Sequence, residues 1–242
     1  MKLIISFSIL FTLNLLGANF KIVTEHFPPY QIYKNNTLTG ISVDLIQEIQ
    51  TRLQTNYPIE VLAWNDAYQK TLKNKDYIIF SIGRTIDREK EFQWVGPINQ
   101  IKYIFFKNSN NKIKIRNLSD AKAVDTILVS KNDLSHQVLS KLGFTNLTVV
   151  DYFSNEKNIL KLANSDKNIL WAAGHQSGLY KVHLLGQEEK VKATMTNKPV
   201  ASTTLNIAFN KNVDSAIVKK WQDVLNEIKL DGTYQNIVNK YK

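Results

Sequence analysis

The sequence predicts an α/β fold of two lobes joined by two crossing strands, and three observations support this. Apolar strands alternate with amphipathic helices up to about residue 82, and the same alternation returns between residues 126 and 173. A further strand and two helices then close the chain. Such alternation is typical of parallel sheets with right-handed crossovers. With 242 residues, 43% of them hydrophobic, the chain can build the cores of two small domains.

The first alternating unit begins with an apolar strand over residues 20–24, which stops at Pro28 and Pro29. We predict a helix from Ser42, as N-cap, because apolar residues recur on one helical face at Val43, Leu45, Ile46, Ile49 and Leu53. A strand over 59–62 and a helix over 65–72 follow. Residues 77–82 are apolar throughout, which predicts a central strand.

The second unit begins after a strand over residues 102–106 that would leave the first lobe. We predict strands over 126–130, 148–150 and 169–173, with helices over 134–142 and 155–164; Asp133 is a candidate N-cap. A strand over 205–209 and helices over 214–230 and 234–240 complete the chain, with Gly232 as a left-handed cap. The predicted domains are 19–105 with 201–242 for lobe 1, and 106–200 for lobe 2, with a ligand site in the cleft between them.

The first 18 residues have the pattern of a cleaved signal peptide. Lys2 precedes an apolar run over residues 3–16, and Gly17 and Ala18 supply small residues for cleavage. The alternative is a membrane anchor, but a bilayer span needs about 20 apolar residues. We therefore expect a periplasmic protein. Cysteine is absent, so the sequence has no disulfide and no cysteine for a lipid anchor.

Composition argues against several other classes of protein. The net charge is +10, but the lysines are scattered and form no arginine-rich block, so a solvated basic surface explains them better than nucleic-acid binding. The four histidines are far apart in the sequence, and no phosphate-binding loop or nucleophile motif is present. We expect a monomer with neither metal nor cofactor.

Several segments, in their order, carry a resemblance to a known family. They are Phe27 to Tyr30, Leu38 to Leu45, Thr85 to Glu89, Phe92 to Pro97 and Asp231 to Tyr234. With these segments the chain resembles the bacterial extracellular solute-binding proteins of family 3. The resemblance implies the type II periplasmic-binding-protein fold. It also implies periplasmic binding of a small polar, carboxylate-bearing solute, and an inner-membrane ABC permease as the possible partner.

Arg88 is the strongest candidate site residue. It matches the family arginine that pairs with a ligand carboxylate, and a planar guanidinium suits such a bidentate pair. It follows a predicted parallel strand at its carboxyl end, where α/β sheets bind ligands. The alternative is a surface arginine paired with Asp87 or Glu91. Arg84 is either a second anion contact or a cap on the rim of the cleft.

Other candidates surround this position. Ser81, Gly83 and Thr85 offer a hydroxyl group and backbone N–H groups to the same anion, although local turn capping explains them as well. Phe27 and Tyr30 match the loop whose ring stacks on the ligand, with core packing as the alternative. Trp64 is a further candidate for the wall of the cleft, whereas Trp94 is expected to be structural.

The second lobe departs from the family pattern. Amino-acid binders place an aspartate after the strand equivalent to residues 169–173, where it pairs with the ligand ammonium group. Here Ala172, Ala173 and Gly174 are followed by His175 and Gln176. An ammonium group without an acidic partner would be costly to bury, which argues against an ordinary α-amino acid. His175 is a candidate contact for a neutral or acidic group.

Two rival functions share the fold. Cyclohexadienyl dehydratases of the family need a general acid in the cleft, and the second-lobe position where we expect it carries alanine and glycine. We therefore expect no catalytic residues and no enzyme activity. A sensing subunit that reports its ligand to a separate membrane receptor is the other alternative.

Overall fold

The computed structural model of the protein describes residues 19–150, 155–195 and 197–241. The predicted signal peptide, residues 1–18, lies outside this range. The strands are β1 Lys21–Thr24, β2 Ile32–Lys34, β3 Thr37–Thr39, β4 Ile59–Val61, β5 Tyr77–Gly83, β6 Phe92–Asn108, β7 Thr126–Ser130, β8 Leu147–Val150, β9 Ile169–Gly174, β10 Val191–Thr194 and β11 Ala201–Asn210. The helices are α1 Ile41–Arg52, α2 Trp64–Lys73, α3 Leu118–Lys122, α4 Leu134–Lys141, α5 Asn155–Ala163, α6 His175–Leu184, α7 Ser215–Leu230 and α8 Thr233–Asn239.

One nine-stranded sheet organises the described chain. Its strand order is β4-β1-β5-β11-β6-β9-β7-β8, with β10 also paired to β6. The pairs β4–β1–β5 and β9–β7–β8 are parallel, as expected for strands that alternate with helices. β5 is a central strand, as predicted, although its second neighbour, β11, runs antiparallel to it.

Two long antiparallel strands, β6 and β11, connect the two parallel groups. β6 pairs with β11 from Phe92 to Tyr103. From Tyr103 onward β6 pairs with β9, and from Phe105 to Asn108 it also pairs with β10. Only residues 102–106 and 205–209 of these strands were predicted, because charged and polar residues interrupt their apolar pattern.

The buried apolar residues form separate clusters on either side of these strands. One large cluster contains Ile22, Leu45, Phe80, Phe209 and Trp221 among others, all from residues 20–101 and 205–237. Two further clusters come from residues 104–200 and are centred on Trp171 and on Phe105. This separation follows the predicted lobes, whose boundaries at residues 105 and 201 stay a prediction.

The start of α1 differs from the prediction. Gly40, not Ser42, is the N-cap residue, and no side chain caps this helix. Ser42 is instead fully buried in the first turn, where Asn99 Nδ2 donates to its hydroxyl group at 3.4 Å. The predicted N-cap of α4, Asp133, accepts the backbone N–H group of His136. Asp214, predicted as the first residue of α7, is instead its N-cap and accepts the backbone N–H group of Ala216. Gly232 is left-handed as predicted, with φ 85°.

Gly40→Ala is expected to lower the free energy of unfolding by about 1–3 kcal/mol. Gly40 has φ +125°, and a Cβ atom there would lie 2.4 Å from the carbonyl oxygen of Tyr30. Gly143→Ala is the control, because Gly143 has φ +72° but no atom within 4 Å of the added carbon. Urea unfolding should show the smaller loss for Gly143→Ala; equal losses would contradict the steric argument.

Several elements were not predicted from the sequence. They are the β2–β3 hairpin, α3, α6 and β10. Helix α6 has no strong apolar stripe, since His175, Gln176, Lys181 and His183 interrupt it. A search of the described residues for helices long and apolar enough to cross a membrane finds none.

Candidate functional site

A cavity of about 40 Å³ lies where the two parallel groups of strands meet. Its wall contains residues that follow β1 and β5, residues of β6 and β9, and residues at the starts of α2, α4 and α6. Its polar and charged members are Glu25, Ser81, Arg88, Tyr103, Ser130, Asp133, Ser177 and Lys181, and its aromatic members include Phe27, Trp64 and Trp171. The cavity thus combines four charged side chains with an aromatic lining.

Arg88 is held rigidly in this wall. It is 1% exposed, and its guanidinium carbon lies 5.2 Å from the ring centroids of both Trp64 and Tyr68. Nη1 donates to the carbonyl oxygen of Gly83 at 3.0 Å, and Nη2 donates to that of Asn132 at 2.8 Å. Burial lowers the pKa of Arg88, while Tyr68, Tyr103 and Asp133 oppose that shift. The ordinary arginine pKa is so high that the group stays charged.

Three buried donor groups of the cavity residues make no hydrogen bond with the described protein. They are Nε of Arg88, Nε1 of Trp64 and the hydroxyl group of Ser81. Buried polar groups without partners are rare and costly. Ser81 also has φ +58°, an unfavourable backbone conformation for serine. Three donors without a partner thus belong to residues of one cavity wall.

Asn132 connects the turn after β7 to the residues around Arg88. Its carbonyl oxygen accepts from Arg88, and its side-chain Nδ2 donates to Asn65 Oδ1 of α2 at 2.7 Å. Its φ of +60° is one that asparagine tolerates better than most residues. Nearby, Lys141 of α4 forms a salt bridge with Asp87. The predicted lobes therefore contact each other directly beside the cavity.

The acid at the start of α4 lies close enough to Arg88 for each charge to affect the other. Oδ1 of Asp133 accepts from the backbone N–H group of His136 and from the hydroxyl group of Ser135, both at 2.7 Å. Burial raises the pKa of Asp133 to about 6, and these hydrogen bonds and Arg88 oppose the shift. Asp133 is therefore both the predicted helix cap and a wall residue of the cavity.

Glu25 and Lys181 are the other two charged residues of the cavity wall, beside Arg88 and Asp133. Both residues are largely buried. Burial lowers the pKa of Lys181 to about 8, and Glu25 and Glu156 oppose this. The pKa of Tyr103 is raised by burial and by the charges of Asp133 and Glu25, and lowered by Arg88. Tyr103 is therefore close enough to Asp133, Glu25 and Arg88 for their charges to affect it.

Five of the nine residues predicted for the site line this cavity. They are Phe27, Trp64, Ser81, Gly83 and Arg88. Gly83 contributes its carbonyl oxygen to Arg88, whereas we had expected it to contribute an N–H group. Their ligand-binding role stays a prediction.

The other four predicted residues lie elsewhere. Arg84 is exposed and pairs with Glu89 at 2.6 Å, so the expected second anion contact is not at the cavity. Thr85 is absent from the cavity wall, although its hydroxyl group is buried without a partner. Tyr30 and His175 line a neighbouring groove with Gln100 and Lys102, and the Tyr30 hydroxyl group donates to the carbonyl oxygen of Gln100.

Sequence reasoning did not assign several wall residues to the ligand site. Tyr103, Ser177 and Lys181 lie on elements whose apolar pattern gave no signal of a site, and helix α6 was not predicted. Asp133, another wall residue, was predicted as the N-cap of its helix. Within the described residues no cluster of side chains could hold a metal ion.

Residues 21–242 match the sequence profile of the bacterial extracellular solute-binding proteins, family 3. A probable histidine-binding protein of Campylobacter jejuni is 22% identical over 236 residues, 90% of this chain and 82% of that protein. A putative ABC transporter arginine-binding protein of Escherichia coli K12 is 24% identical over 226 residues, 89% of this chain and 86% of that protein. A histidine kinase sensor domain similar to periplasmic binding proteins superposes with a TM-score of 0.81 at 14% identity, covering 92% of this chain and 95% of that one.

Two parallel groups of strands, joined by β6 and β11 with a cavity where they meet, give the chain the fold of the periplasmic binding proteins. The chain belongs to the bacterial extracellular solute-binding proteins, family 3, because the family profile matches nearly all of it. The predicted type II periplasmic-binding-protein fold is confirmed by structures such as the kinase sensor domain. By their names, the two relatives in sequence are a histidine-binding protein and an arginine-binding protein of an ABC transporter.

Proposed function

We propose that the protein binds a small carboxylate-bearing solute in the periplasm and delivers it to an ABC transporter in the inner membrane. One observation supports this most strongly: Arg88, Trp64 and Ser81 each have a buried donor without a partner and all line one cavity. A carboxylate accepts several hydrogen bonds at once, and a charge-assisted bond from a guanidinium group is among the strongest available.

The size of the cavity favours a small ligand. Its volume of about 40 Å³ is a few times the roughly 10–15 Å³ that a single water needs. The direct contacts from Asn132 to Arg88 and Asn65 are those expected of two lobes closed on each other. Entry of a ligand then requires the lobes to separate, with β6 and β11 as the hinge.

Delivery to a transporter agrees with the names of the two relatives, an arginine-binding protein of an ABC transporter and a histidine-binding protein. Secretion through the signal peptide predicted over residues 1–18 would bring the protein to the periplasm. The likeness to a kinase sensor domain supports a sensing role as the second candidate. The two roles differ in the membrane partner that recognises the closed protein.

Binding without turnover is the second part of the proposal. The acid that a dehydratase would need is missing after β9, as expected, but Glu25 and Asp133 bring two carboxyl groups into the cavity from other elements. Asp133 is already engaged as the cap of α4. The assignment as a binding protein therefore draws on the family more than on a lack of acids.

Native mass spectrometry of the freshly purified protein tests the proposal directly. We expect a co-purifying carboxylate of low mass, and a rise in the unfolding temperature when that compound is added to stripped protein. Incubation with the same compound and with cyclohexadienyl acids should leave each compound unchanged. Formation of more than one product molecule per protein molecule would show that the protein is an enzyme. A co-purifying ligand without an acidic group would contradict the carboxylate proposal.

A further inference from the structure

Glu25 and Lys181 bring opposite charges into the cavity from the two predicted lobes. Glu25 directly follows β1, and Lys181 lies on α6, one turn after the wall residue Ser177. Glu25 is 9% exposed and Lys181 is 7% exposed. The charge of Glu25 acts on Lys181, and the charge of Lys181 acts in turn on His26. We call Glu25 and Lys181 the internal charge pair.

We propose that the ammonium group of Lys181 takes the place that a positively charged group of a ligand would otherwise occupy beside Glu25, so that Lys181 excludes ligands with a cationic side group. This inference rests on the proposed function, in which the cavity is the ligand site. The chain supplies its own cation, and the accepted ligand brings none to Glu25. Lys181 is in this sense a specificity-determining residue.

The electrostatic argument starts from Glu25. A buried carboxylate without a compensating charge is strongly unfavourable, so Glu25 would attract a ligand cation if Lys181 were absent. Lys181 already provides that compensation from within the chain. A cationic group of a ligand would have to lie beside the ammonium group of Lys181, and like charges repel each other strongly in a desolvated site.

Glu25 is the acid that best explains the position of Lys181. Two acids, Glu25 and Glu156, have charges that act on Lys181, and of these only Glu25 is buried. The other acid of the cavity wall, Asp133, acts on Arg88 and accepts hydrogen bonds at the start of α4. Removal of Lys181 would therefore leave Glu25 as the uncompensated charge.

The space in the cavity leads to the same conclusion. The cavity measures about 40 Å³, and both members of the internal charge pair belong to its wall. Beyond its Cβ atom, a lysine side chain has the same heavy atoms as propylamine. Lys181→Ala would thus open a space of that shape next to the carboxylate of Glu25. We expect this variant to bind propylammonium, which the wild-type protein excludes.

Thermal unfolding of the mature protein in propylammonium chloride tests the proposal. For Lys181→Ala we expect a saturable rise in the unfolding temperature of about 3–6 °C at ten times the dissociation constant. The wild-type protein should show no such rise, and neutral propanol should stabilise neither protein. If Lys181→Ala does not fold alone, refolding in propylammonium should restore the near-ultraviolet circular dichroism of the wild-type protein.

Three variants separate charge from space. Lys181→Met leaves Glu25 uncompensated but fills the space, and Lys181→Ala combined with Glu25→Gln leaves the space without the charge; neither should respond to propylammonium. Lys219→Ala is the matched control, since Lys219 forms a salt bridge with Asp223 but its side chain is 74% exposed. It should not respond either, because its removal opens no enclosed space.

Ligand selectivity is measured in the same assay with butyrate and γ-aminobutyrate, which differ by one ammonium group. Lys181→Ala should be stabilised more by γ-aminobutyrate than by butyrate. The proposal is overturned if the wild-type protein prefers γ-aminobutyrate, if Lys181→Ala does not respond to propylammonium, or if the response persists after Glu25→Gln. The proposed function is tested separately, because anion binding at Arg88 is measured with the co-purifying carboxylate.

Discussion

Arg88→Ala is expected to weaken binding of the co-purifying carboxylate by about 2–5 kcal/mol. Arg88 is 1% exposed, and its guanidinium carbon lies 5.2 Å from the ring centroids of both Trp64 and Tyr68, so its pairing with an anion would be shielded from water. Arg88→Lys should lose nearly as much, because an ammonium group offers neither the planar fork nor the stacking of a guanidinium group. Calorimetric titration of stripped protein measures both losses.

Arg88→Gln tests whether Arg88→Ala weakens binding only because it disturbs the structure. Its amide group can still donate to the carbonyl oxygen of Gly83, to which Arg88 Nη1 now donates. Arg116→Ala is the control for loss of one positive charge, since Arg116 is 78% exposed in its side chain and pairs with Asp120 at the surface. An unchanged dissociation constant in a folded Arg88 variant would rule out the anion anchor, whereas an equal loss in Arg116→Ala would point to a general charge effect.

Leu225→Ala is expected to lower the free energy of unfolding by about 2–5 kcal/mol. Leu225 lies on the buried face of α7 and is fully buried in the large cluster that contains Phe209 and Trp221. Removing its isobutyl group leaves a cavity that neighbours on a sheet and two helices cannot readily fill. Urea unfolding with an unchanged slope measures the loss.

Leu230→Ala makes the same chemical change five residues along the same helix. Leu230 is 87% exposed, so we expect a change within about 0.5 kcal/mol. Equal losses of unfolding free energy for the two variants would mean that helix propensity, and not burial, determines the effect of these substitutions in α7. A small loss for Leu225→Ala alone would mean that the core around Trp221 relaxes into the vacated space.

Local sequence signals were sufficient for most helices and strands. β7 matches its prediction residue for residue, and α4, α5 and α7 are correct to within one residue, because their apolar patterns are regular. The N-cap of α1 was misplaced, since serine is a good cap and the sequence does not reveal that Ser42 is needed in the core. Helix α6 was missed because it packs only a few small or apolar residues and carries polar ones between them.

The residues of the cavity wall were predicted only in part, because some of them lie far apart in the sequence. Arg88 could be found because a single strand and its following turn position it, and both are local in sequence. Asp133 and Lys181 could not be assigned to the same cavity, since 45 and 93 residues separate them from Arg88 along the chain. Arg84, four residues before Arg88, has the same chemistry but faces solvent and pairs with Glu89.

Most of the strands and helices, the family, and Arg88 as a candidate in the turn after β5 could be predicted from the sequence alone. These depend on patterns that extend over a few residues or on segments recognisable in order. The set of charged side chains that share the cavity could not be predicted in this way, because strand pairing across β6, β9 and β11 brings distant segments together. The acid beside Arg88 is thus a consequence of packing, and packing is not encoded at any one position.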